Sequence, residues 1–255
     1  MTEFSNKFVL SSYKLVDFLC YPRFSADEYY SRINELRSLN IKFIKLDGPT
    51  VLNNNNILGK GNEGLVLKVC DHANNTMAIK IRRTDSCRIE MESEFNFYKY
   101  VNLYNIGPKA YLYTKNTLLM ECIEGLPARK WFLSTKDELD LVRKIIIDIL
   151  NQCYKLDELG IDHGQLNKLD NHVIIALDGS RCTIVDFESA SSKRKVNNVT
   201  SALQGLIFKG IISEQVNKFL NYDDKKSEFL NLLSIYKHKK CRENFDPIIS
   251  LIKCS

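Results

Sequence analysis

The apolar and polar positions along the chain change their spacing near the middle of the sequence. Between Ile57 and Met120, short apolar runs rich in β-branched and aromatic residues predict strands. A helical stretch from Ile89 to Tyr104 interrupts them. The predicted strands are residues 64–69, 76–81, 110–114 and 117–121.

From Thr135 onward the apolar spacing is helical. Thr135 lies three residues before Glu138, a capping-box pattern that predicts a helix start, and Gly160 is a plausible end. Two short strands then flank Asp178-Gly179, a strong hairpin turn pair, and helical patterns return from about Val199. The apolar positions at helical spacing are Leu139, Val142, Ile146, Ile149, Leu150 and Cys153.

These patterns predict an α+β fold with a β-rich N-terminal lobe and a shortened helical C-terminal lobe. Residues 1–46 form a predicted N-terminal extension that is partly helical, around Tyr29–Leu39, and the asparagine run LNNNNILGKG follows it. Residues 47–124 are the predicted β-rich lobe, and residues 125–255 are the predicted helical lobe.

Composition narrows the class of protein. No apolar run approaches the length of about 18 residues that a membrane helix needs. The opening MTEFSNKFVL has an early acid and no long apolar core, which argues against a signal peptide. We therefore expect a cytosolic protein without a membrane partner. The eight cysteines occur singly, which favours buried free thiols over a metal site or a disulfide framework.

The charge is unevenly distributed. Residues 189–255 contain 12 Lys and Arg against 6 Asp and Glu, a net charge of +6. The whole chain has a net charge of +5, so the preceding residues sum to −1. A basic surface of this kind attracts nucleic acid, an acidic protein or an anionic substrate. A solvated lysine-rich surface without a dedicated partner is the alternative.

A glycine-rich motif lies at the start of the β-rich region. Gly59, Gly61 and Gly64 have G-x-G-x-x-G spacing, and Val66 follows two residues later. Glycines let backbone amides approach phosphate oxygens closely, because no Cβ blocks the approach. A dinucleotide-binding fold needs a helix directly after this motif, whereas a strand-like run follows here. The motif therefore predicts a β-hairpin that covers nucleotide phosphates.

Lys80 ends the next predicted strand, in the run MAIK. A lysine beside such a glycine loop has the position of the cation that binds the α- and β-phosphates. It needs a carboxylate to hold it, and the following helix offers Glu90, Glu92 and Glu94. Glu94 shares a helix face with apolar residues, whereas Glu92 lies on a more polar face. We therefore predict Glu94 as the partner, with Glu90 as the alternative.

Two further segments carry candidate ligands. In LLMECIEG, the backbone around Glu121–Ile123 connects the predicted lobes and is a candidate to bind an adenine ring. In IVDFE, Asp186 ends an apolar strand, where a carboxylate is costly unless it is paired or binds a metal. Mg²⁺ prefers hard oxygen ligands and substrate phosphates, so Asp186 is the predicted metal ligand.

Together these motifs resemble the eukaryotic-type protein kinase superfamily: G-x-G-x-x-G-x-V, A-I-K, a helix glutamate, a catalytic loop and D-F-E in place of D-F-G. The match spans roughly residues 57–190. It looks most like the small atypical kinases, namely the RIO-type group and related archaeal predicted serine/threonine kinases. Only 69 residues follow Asp186 and no A-P-E sequence occurs, so a full activation segment is not expected.

The resemblance implies a bilobal, kinase-like fold and an ATP- and Mg²⁺-dependent serine/threonine kinase that acts on protein. It implies that Lys80 and Glu94 are catalytic and that Asp186 binds Mg²⁺ with Asp170 or Asn171. The implied ATP-binding residues are Leu58, Gly59, Lys60, Gly61, Gly64, Val66, Ala78, Lys80, Glu121 and Ile123.

The loop DHGQLNKLDN, residues 162–171, departs from the family pattern. The family has an acid two residues after the histidine, and here His163 is followed by Gly164 and Gln165. Glutamine can orient a hydroxyl but cannot accept its proton. Asp162 offers an acid one residue before the histidine. A slow kinase is one interpretation, and an ATP-binding pseudokinase that regulates a partner is the alternative. A small-molecule kinase ranks below both, because the short tail leaves little room for its extra helices.

Overall fold

In the computed structural model, residues 7–135 and 138–254 are described, and the chain divides into two compact units. The first unit runs to Asn102 and also contains Pro108–Cys122. The second contains Leu103–Gly107 and the residues from Ile123 onward. Strands dominate the first unit and helices the second, so the predicted α+β class is confirmed.

The first unit contains nine strands and three α-helices among its described residues. The strands are β1 (Lys7–Val9), β2 (Ile41–Lys45), β3 (Thr50–Leu52), β4 (Asn55–Ile57), β5 (Gly59–Lys60), β6 (Gly64–Asp71), β7 (Thr76–Arg82), β8 (Ala110–Tyr113) and β9 (Thr117–Glu121). The helices are α1 (Val16–Leu19), α2 (Ala26–Ser38) and α3 (Glu92–Asn102).

An antiparallel sheet organises the first unit. Its strand order is β1-β2-β6-β7-β9-β8, and β5 pairs with the start of β6. The four strands predicted between Ile57 and Met120 are confirmed as β6, β7, β8 and β9, each within two residues of the predicted bounds. The register places Val66 of β6 opposite Lys80 of β7.

The N-terminal segment is part of this sheet and its core. Strand β2 pairs with β6, and Leu15, Leu36 and Ile44 are buried in the same cluster as Leu67 and Ile79. Strands β1 and β2 were not predicted, because their alternation of lysine with apolar residues is short.

A fully buried arginine fastens the N-terminal segment to strand β7. Arg32, on helix α2, pairs with Glu28 at 2.9 Å and donates to the carbonyls of Leu19 and Arg82, the latter at 2.6 Å. Because Arg82 ends β7, the guanidinium ties helix α2 to the strand that carries Lys80.

The asparagine run forms a hairpin. Strands β3 and β4 pair around Asn53 and Asn54, whose φ angles are +48° and +59°. A two-residue turn with positive φ at both positions matches the right-handed twist of the strands, and asparagine tolerates that conformation better than most residues. The run thus builds structure within the first unit.

The second unit has seven α-helices and a small three-stranded antiparallel sheet in its described part. The sheet has the order β10 (Leu126–Pro127), β11 (Val173–Ile175), β12 (Cys182–Ile184). The helices are α4 (Ala128–Ser134), α5 (Leu139–Glu158), α6 (Leu169–His172), α7 (Asn198–Leu203), α8 (Ile211–Leu220), α9 (Lys226–His238) and α10 (Arg242–Lys253).

Helix α5 is the long amphipathic helix that the sequence predicts, but its start was predicted wrongly. Thr135 ends helix α4 by donating from Oγ1 to the carbonyl of Trp131, so no capping box forms with Glu138. The helix closes as predicted, with Gly160 at φ +70°. Its predicted apolar positions are buried except Leu139, which is 41% exposed.

None of the described helices combines the length and the apolar character needed to cross a bilayer.

Candidate functional site

The glycine-rich motif of the first unit forms the predicted hairpin. Gly59 pairs with Val66 across strands β5 and β6, and the amide of Gly61 donates to the carbonyl of Gly64 at 2.8 Å. The hairpin therefore carries all three glycines, with Gly59 and Gly64 in its strands and Gly61 in its loop, and the exposed Lys60 ends β5. The ammonium of Lys60 lies 4.9 Å from the centre of the Tyr21 ring.

Gly64 leaves the space through which the Lys80 side chain passes. A Cβ at Gly64 would lie 3.1 Å from both Cγ and Cε of Lys80 and 3.0 Å from the carbonyl oxygen of Ile81. A larger residue here would crowd the Lys80 side chain and the Ile81 carbonyl, and one of them would have to shift by a few tenths of an ångström. The third glycine of the motif thus leaves room for the Lys80 side chain.

Lys80 and Glu94 form a buried ion pair. The Lys80 ammonium lies 2.9 Å and 3.1 Å from the two carboxylate oxygens of Glu94, and both side chains are almost fully buried. Glu90 and Glu92 are exposed, so the helical spacing correctly predicted which glutamate faces inward. Buried ions of opposite charge require close pairing, because desolvation is costly.

Arg88 is a second cation on the same carboxylate, and sequence reasoning missed it. Its Nη1 lies 2.7 Å from Oε2 of Glu94. Arg88 precedes helix α3 in a loop, where no periodicity indicates the direction of a side chain. The glutamate therefore holds two cations, Lys80 and Arg88.

The remaining predicted ATP-binding residues lie in both units. Leu58 directly follows strand β4. Val66 lies in β6, and Ala78 lies in β7, the strand that carries Lys80. Glu121 ends β9, where its amide donates to the carbonyl of Lys109 at 2.8 Å and its carboxylate accepts from the Lys109 amide at 3.1 Å. Ile123 is the first residue of the second unit in that part of the chain and is half-buried.

In the second unit, the predicted hairpin carries Asp186 at the end of strand β12. Strands β11 and β12 pair around Gly179, whose φ is +63°, and the Val185 amide donates to the carbonyl of His172. Asp186 itself has φ +71°, a left-handed conformation that costs free energy for a residue with a side chain. Such strain persists where neighbouring structure imposes it, and it is enriched at functional sites.

The Asp186 carboxylate has a histidine neighbour. Its Oδ2 lies 3.6 Å from Nδ1 of His172, and the aspartate side chain is 25% exposed. Asp170 and Asn171 precede His172 on the four-residue helix α6, so both predicted second metal ligands lie on the element that contacts Asp186. His172 was not predicted, because one histidine in a polar loop carries no positional signal.

His163 is buried at the centre of this part of the unit. Its amide donates to Oδ1 of Asn198 at 2.9 Å, and its Nε2 lies 3.1 Å from the carbonyl oxygen of Val185. Its ring packs edge-on against Phe187, at 4.9 Å, and His172, at 5.4 Å. Burial, reinforced by the His172 ring, lowers the pKa of His163 to about 4.

The low pKa of His163 predicts acid sensitivity. The unfolded chain binds a proton at this histidine below pH about 6.5, whereas the folded state resists it until pH about 4. The stabilisation is therefore full above pH 6.5 and is lost as the pH falls toward 4, by about 3 kcal/mol in total. Urea unfolding of the wild type and of His163→Gln at pH about 7 and at pH about 4.5 measures most of this loss. An equally steep pH dependence in the variant would contradict this origin.

Gln165, in the position of the expected acid, is bonded to a serine. Its Nε2 donates to Oγ of Ser189 at 2.9 Å, and both residues are half-buried. Ser189 lies three residues beyond Asp186, in the turn Phe187–Ser189. The contact was not predicted, because it joins two loops.

Asp162, the other candidate acid, is paired with Arg194. The two groups are 2.8 Å apart, and the aspartate is 8% exposed. Backbone hydrogen bonds in both directions at 2.9 Å also join Asp162 to Ser191. The guanidinium lies over Gly164, where a Cβ would be only 2.5 Å from Nη2 of Arg194, and φ is +86°. Gly164 therefore permits this pairing.

A buried polar network supports the loop from behind. Asp157 accepts hydrogen bonds from the amide and side chain of Asn198, at 2.9 and 2.8 Å, and from the Tyr236 hydroxyl, at 2.9 Å. Asn198 in turn accepts the His163 amide. Desolvation raises the pKa of Asp157 despite these donors. The network fixes the backbone at His163 and was not predicted from the sequence.

The donor set bears on the predicted magnesium ion. Within residues 7–135 and 138–254, no group of three or more His, Cys, Asp or Glu could hold a metal ion by itself. Nucleotide-bound Mg²⁺ uses one or two carboxylates together with phosphates and water. Asp186 is partly exposed and contacts His172, and Asp170 and Asn171 directly precede that histidine. These residues fit that smaller requirement.

Comparison with known proteins relates the chain to an archaeal protein. No family model matches the chain. An uncharacterized protein of Methanocaldococcus jannaschii, MJ1211, is 32% identical over 123 residues, which cover 48% of this chain and 99% of the relative. The chain belongs to the MJ1211 family. The match takes in 48% of the chain and nearly the whole length of MJ1211, so about half of the chain lies outside this match.

Proposed function

We propose that the protein is an ATP- and Mg²⁺-dependent phosphotransferase, an atypical, slow serine/threonine protein kinase with a kinase-like bilobal fold. The observation that carries this proposal is the buried Lys80–Glu94 pair beneath the glycine hairpin. A lysine held by a helix carboxylate beside a glycine loop suits the binding of α- and β-phosphates. MJ1211 is itself uncharacterized, so the relationship does not indicate an activity.

The residues of each unit have separate roles in the proposal. In the first unit, Lys80 binds phosphate oxygens while Glu94 fixes its position. In the second, Asp186 holds Mg²⁺, with Asp170 or Asn171 as its second ligand. Bound Mg²⁺ supplies charge neutralisation on the phosphates. Phosphoryl transfer depends mainly on such positioning and charge stabilisation.

Gln165 sets the expected rate. General base catalysis contributes about 10²–10⁴-fold, and glutamine cannot supply it. A kinase without that contribution is slow but retains the larger electrostatic effects. Asp162 does not substitute for the acid in the described arrangement, because Arg194 holds it.

The second candidate function is an ATP-binding pseudokinase that regulates a partner. The Gln165–Ser189 hydrogen bond favours it, since the glutamine is already engaged with the chain itself. The two functions share nucleotide binding and differ only in transfer.

Replacing Gln165 with aspartate separates the candidates. We expect calorimetry to detect Mg-ATP binding by the wild type, and single-turnover assays with [γ-³²P]ATP to detect slow labelling of protein. Gln165→Asp restores a base and is expected to raise the transfer rate by about 10²-fold, the lower part of the range for general base catalysis. Gln165→Asn, which shortens the amide without adding a charge, is the matched control.

Three outcomes are informative. Transfer by the wild type that Gln165→Asp accelerates supports the slow kinase. Tight binding without any transfer, in the wild type and in Gln165→Asp alike, supports the pseudokinase. Absence of Mg-ATP binding contradicts both.

A further inference from the structure

A serine hydroxyl of the chain itself lies against the side chain in the acid's position. Ser189 Oγ accepts a hydrogen bond from Gln165 Nε2 at 2.9 Å. In phosphotransferases of the proposed kind, the residue at this position contacts the hydroxyl that receives the phosphoryl group. Ser189 therefore has the contact expected of an acceptor.

The backbone around Ser189 is held in place on both sides. Arg194 Nη2 donates to the Ser189 carbonyl, and Nε of the same guanidinium bonds to Asp162. The paired backbones of Asp162 and Ser191 fix the next turn of the segment. The contact with Gln165 is therefore part of a closed set of hydrogen bonds between residues 162–165 and 189–194.

We propose that Ser189 is a phosphorylation site of the protein, modified within the same molecule, and that Arg194 binds the resulting phosphate. This inference rests on the proposed function, because the chain's own ATP-dependent transfer is the source of the phosphate. No second copy is required, since the acceptor and Gln165 already touch within one chain.

The proposed step balances without any further reactant. The Ser189 oxygen forms a bond to the γ-phosphorus of ATP, and the bond between that phosphorus and the β–γ bridging oxygen breaks. ADP leaves with the bridging oxygen and its electron pair. The hydroxyl proton passes to an oxygen of the transferred group and then to water, because Gln165 cannot accept it.

Arg194 is well placed to bind the product. A phosphoserine carries nearly two negative charges and three acceptor oxygens, and it pairs strongly with an arginine. Arg194 is 49% exposed and already contacts the Ser189 backbone, and Lys193 and Lys195 beside it are exposed. The phosphate competes with Asp162 for the guanidinium, so modification weakens the Arg194–Asp162 pair.

Site mapping tests the acceptor. Wild-type protein is incubated with Mg-[γ-³²P]ATP, and phosphopeptides are assigned by mass spectrometry. We expect label on Ser189, at a fractional rate that does not change with protein concentration. In Ser189→Ala, we expect the incorporated label to fall by at least about tenfold. Ser192 is an exposed neighbour, and Ser192→Ala is expected to keep the wild-type level of label. Asp186→Asn identifies label contributed by a contaminating kinase.

The outcomes distinguish this inference from the function on which it rests. Label elsewhere on the chain, undiminished label in Ser189→Ala, or transfer only to an added protein overturns the Ser189 site and leaves the phosphotransferase intact. A fractional rate that rises with protein concentration overturns the intramolecular step. Absence of Mg-ATP binding and of all transfer overturns both proposals.

A second measurement reads the environment of the phosphate and not the rate of transfer. Phosphoserine has a second pKa of about 6, and a neighbouring guanidinium lowers it. A ³¹P NMR titration of protein phosphorylated at Ser189 is expected to give a lower pKa in the wild type than in Arg194→Gln. Equal pKa values in the two proteins would overturn the assignment of Arg194.

Discussion

Asp186→Asn is expected to abolish measurable phosphoryl transfer, with a loss of at least about 10²–10³-fold. The substitution removes the charge of the predicted metal ligand while keeping its size. The folded structure should survive, because Asp186 is partly exposed and its 3.6 Å contact with His172 is longer than a strong ion pair. Single-turnover labelling measures the loss, and thermal unfolding verifies the fold.

Asp140→Asn is the matched control for this substitution. Asp140 is fully exposed on helix α5, where it pairs with Arg143 at 3.1 Å. The control is expected to leave transfer unchanged. Transfer by Asp186→Asn at a rate within a few-fold of wild type would show that the carboxylate does not hold the metal.

Glu94→Gln is expected to cause the largest loss of stability, about 3–5 kcal/mol in the free energy of unfolding, because it breaks a buried ion pair from one side. Lys80 and Arg88 then both lose the carboxylate charge with which they pair. Mg-ATP binding should weaken as well, since the lysine loses its fixed position. Urea denaturation and calorimetry measure the two effects.

Glu92→Gln provides the comparison, because Glu92 lies on the same helix and is exposed. Its hydrogen bond from Tyr113 at 3.2 Å is a surface contact, and surface contacts contribute little. We expect a change below about 1 kcal/mol for this variant. Similar losses for both variants would mean that the buried pair contributes no special stabilisation.

Periodicity predicted the parts of the molecule that regular elements position. The strands that carry Gly64 and Lys80 and the helix that carries Glu94 follow from apolar spacing alone. Because a helix fixes the direction of each side chain, the sequence distinguished Glu94 from Glu92. The hairpin before Asp186 followed from its Asp-Gly turn.

Contacts between loops were not predictable in this way. Arg88, Ser189 and Arg194 reach their partners through irregular backbone, and their positions depend on the path of the whole segment. Asn198 begins a helix whose apolar pattern is visible, but its hydrogen bonds to Asp157 and His163 join distant parts of the sequence. Thr135 shows the converse error, in which a local capping pattern lost to the preceding helix.

The buried Arg32 makes the N-terminal segment a necessary part of the first unit. Its guanidinium donates hydrogen bonds to the main-chain carbonyls of Leu19 and Arg82. Arg82 ends strand β7, which carries Lys80, so helix α2 holds the end of that strand. Removal of residues 16–38 would take away the guanidinium that binds the Arg82 carbonyl at the end of strand β7. We therefore expect related proteins to keep residues 16–38 together with strand β7 and the glycine hairpin that pairs with it.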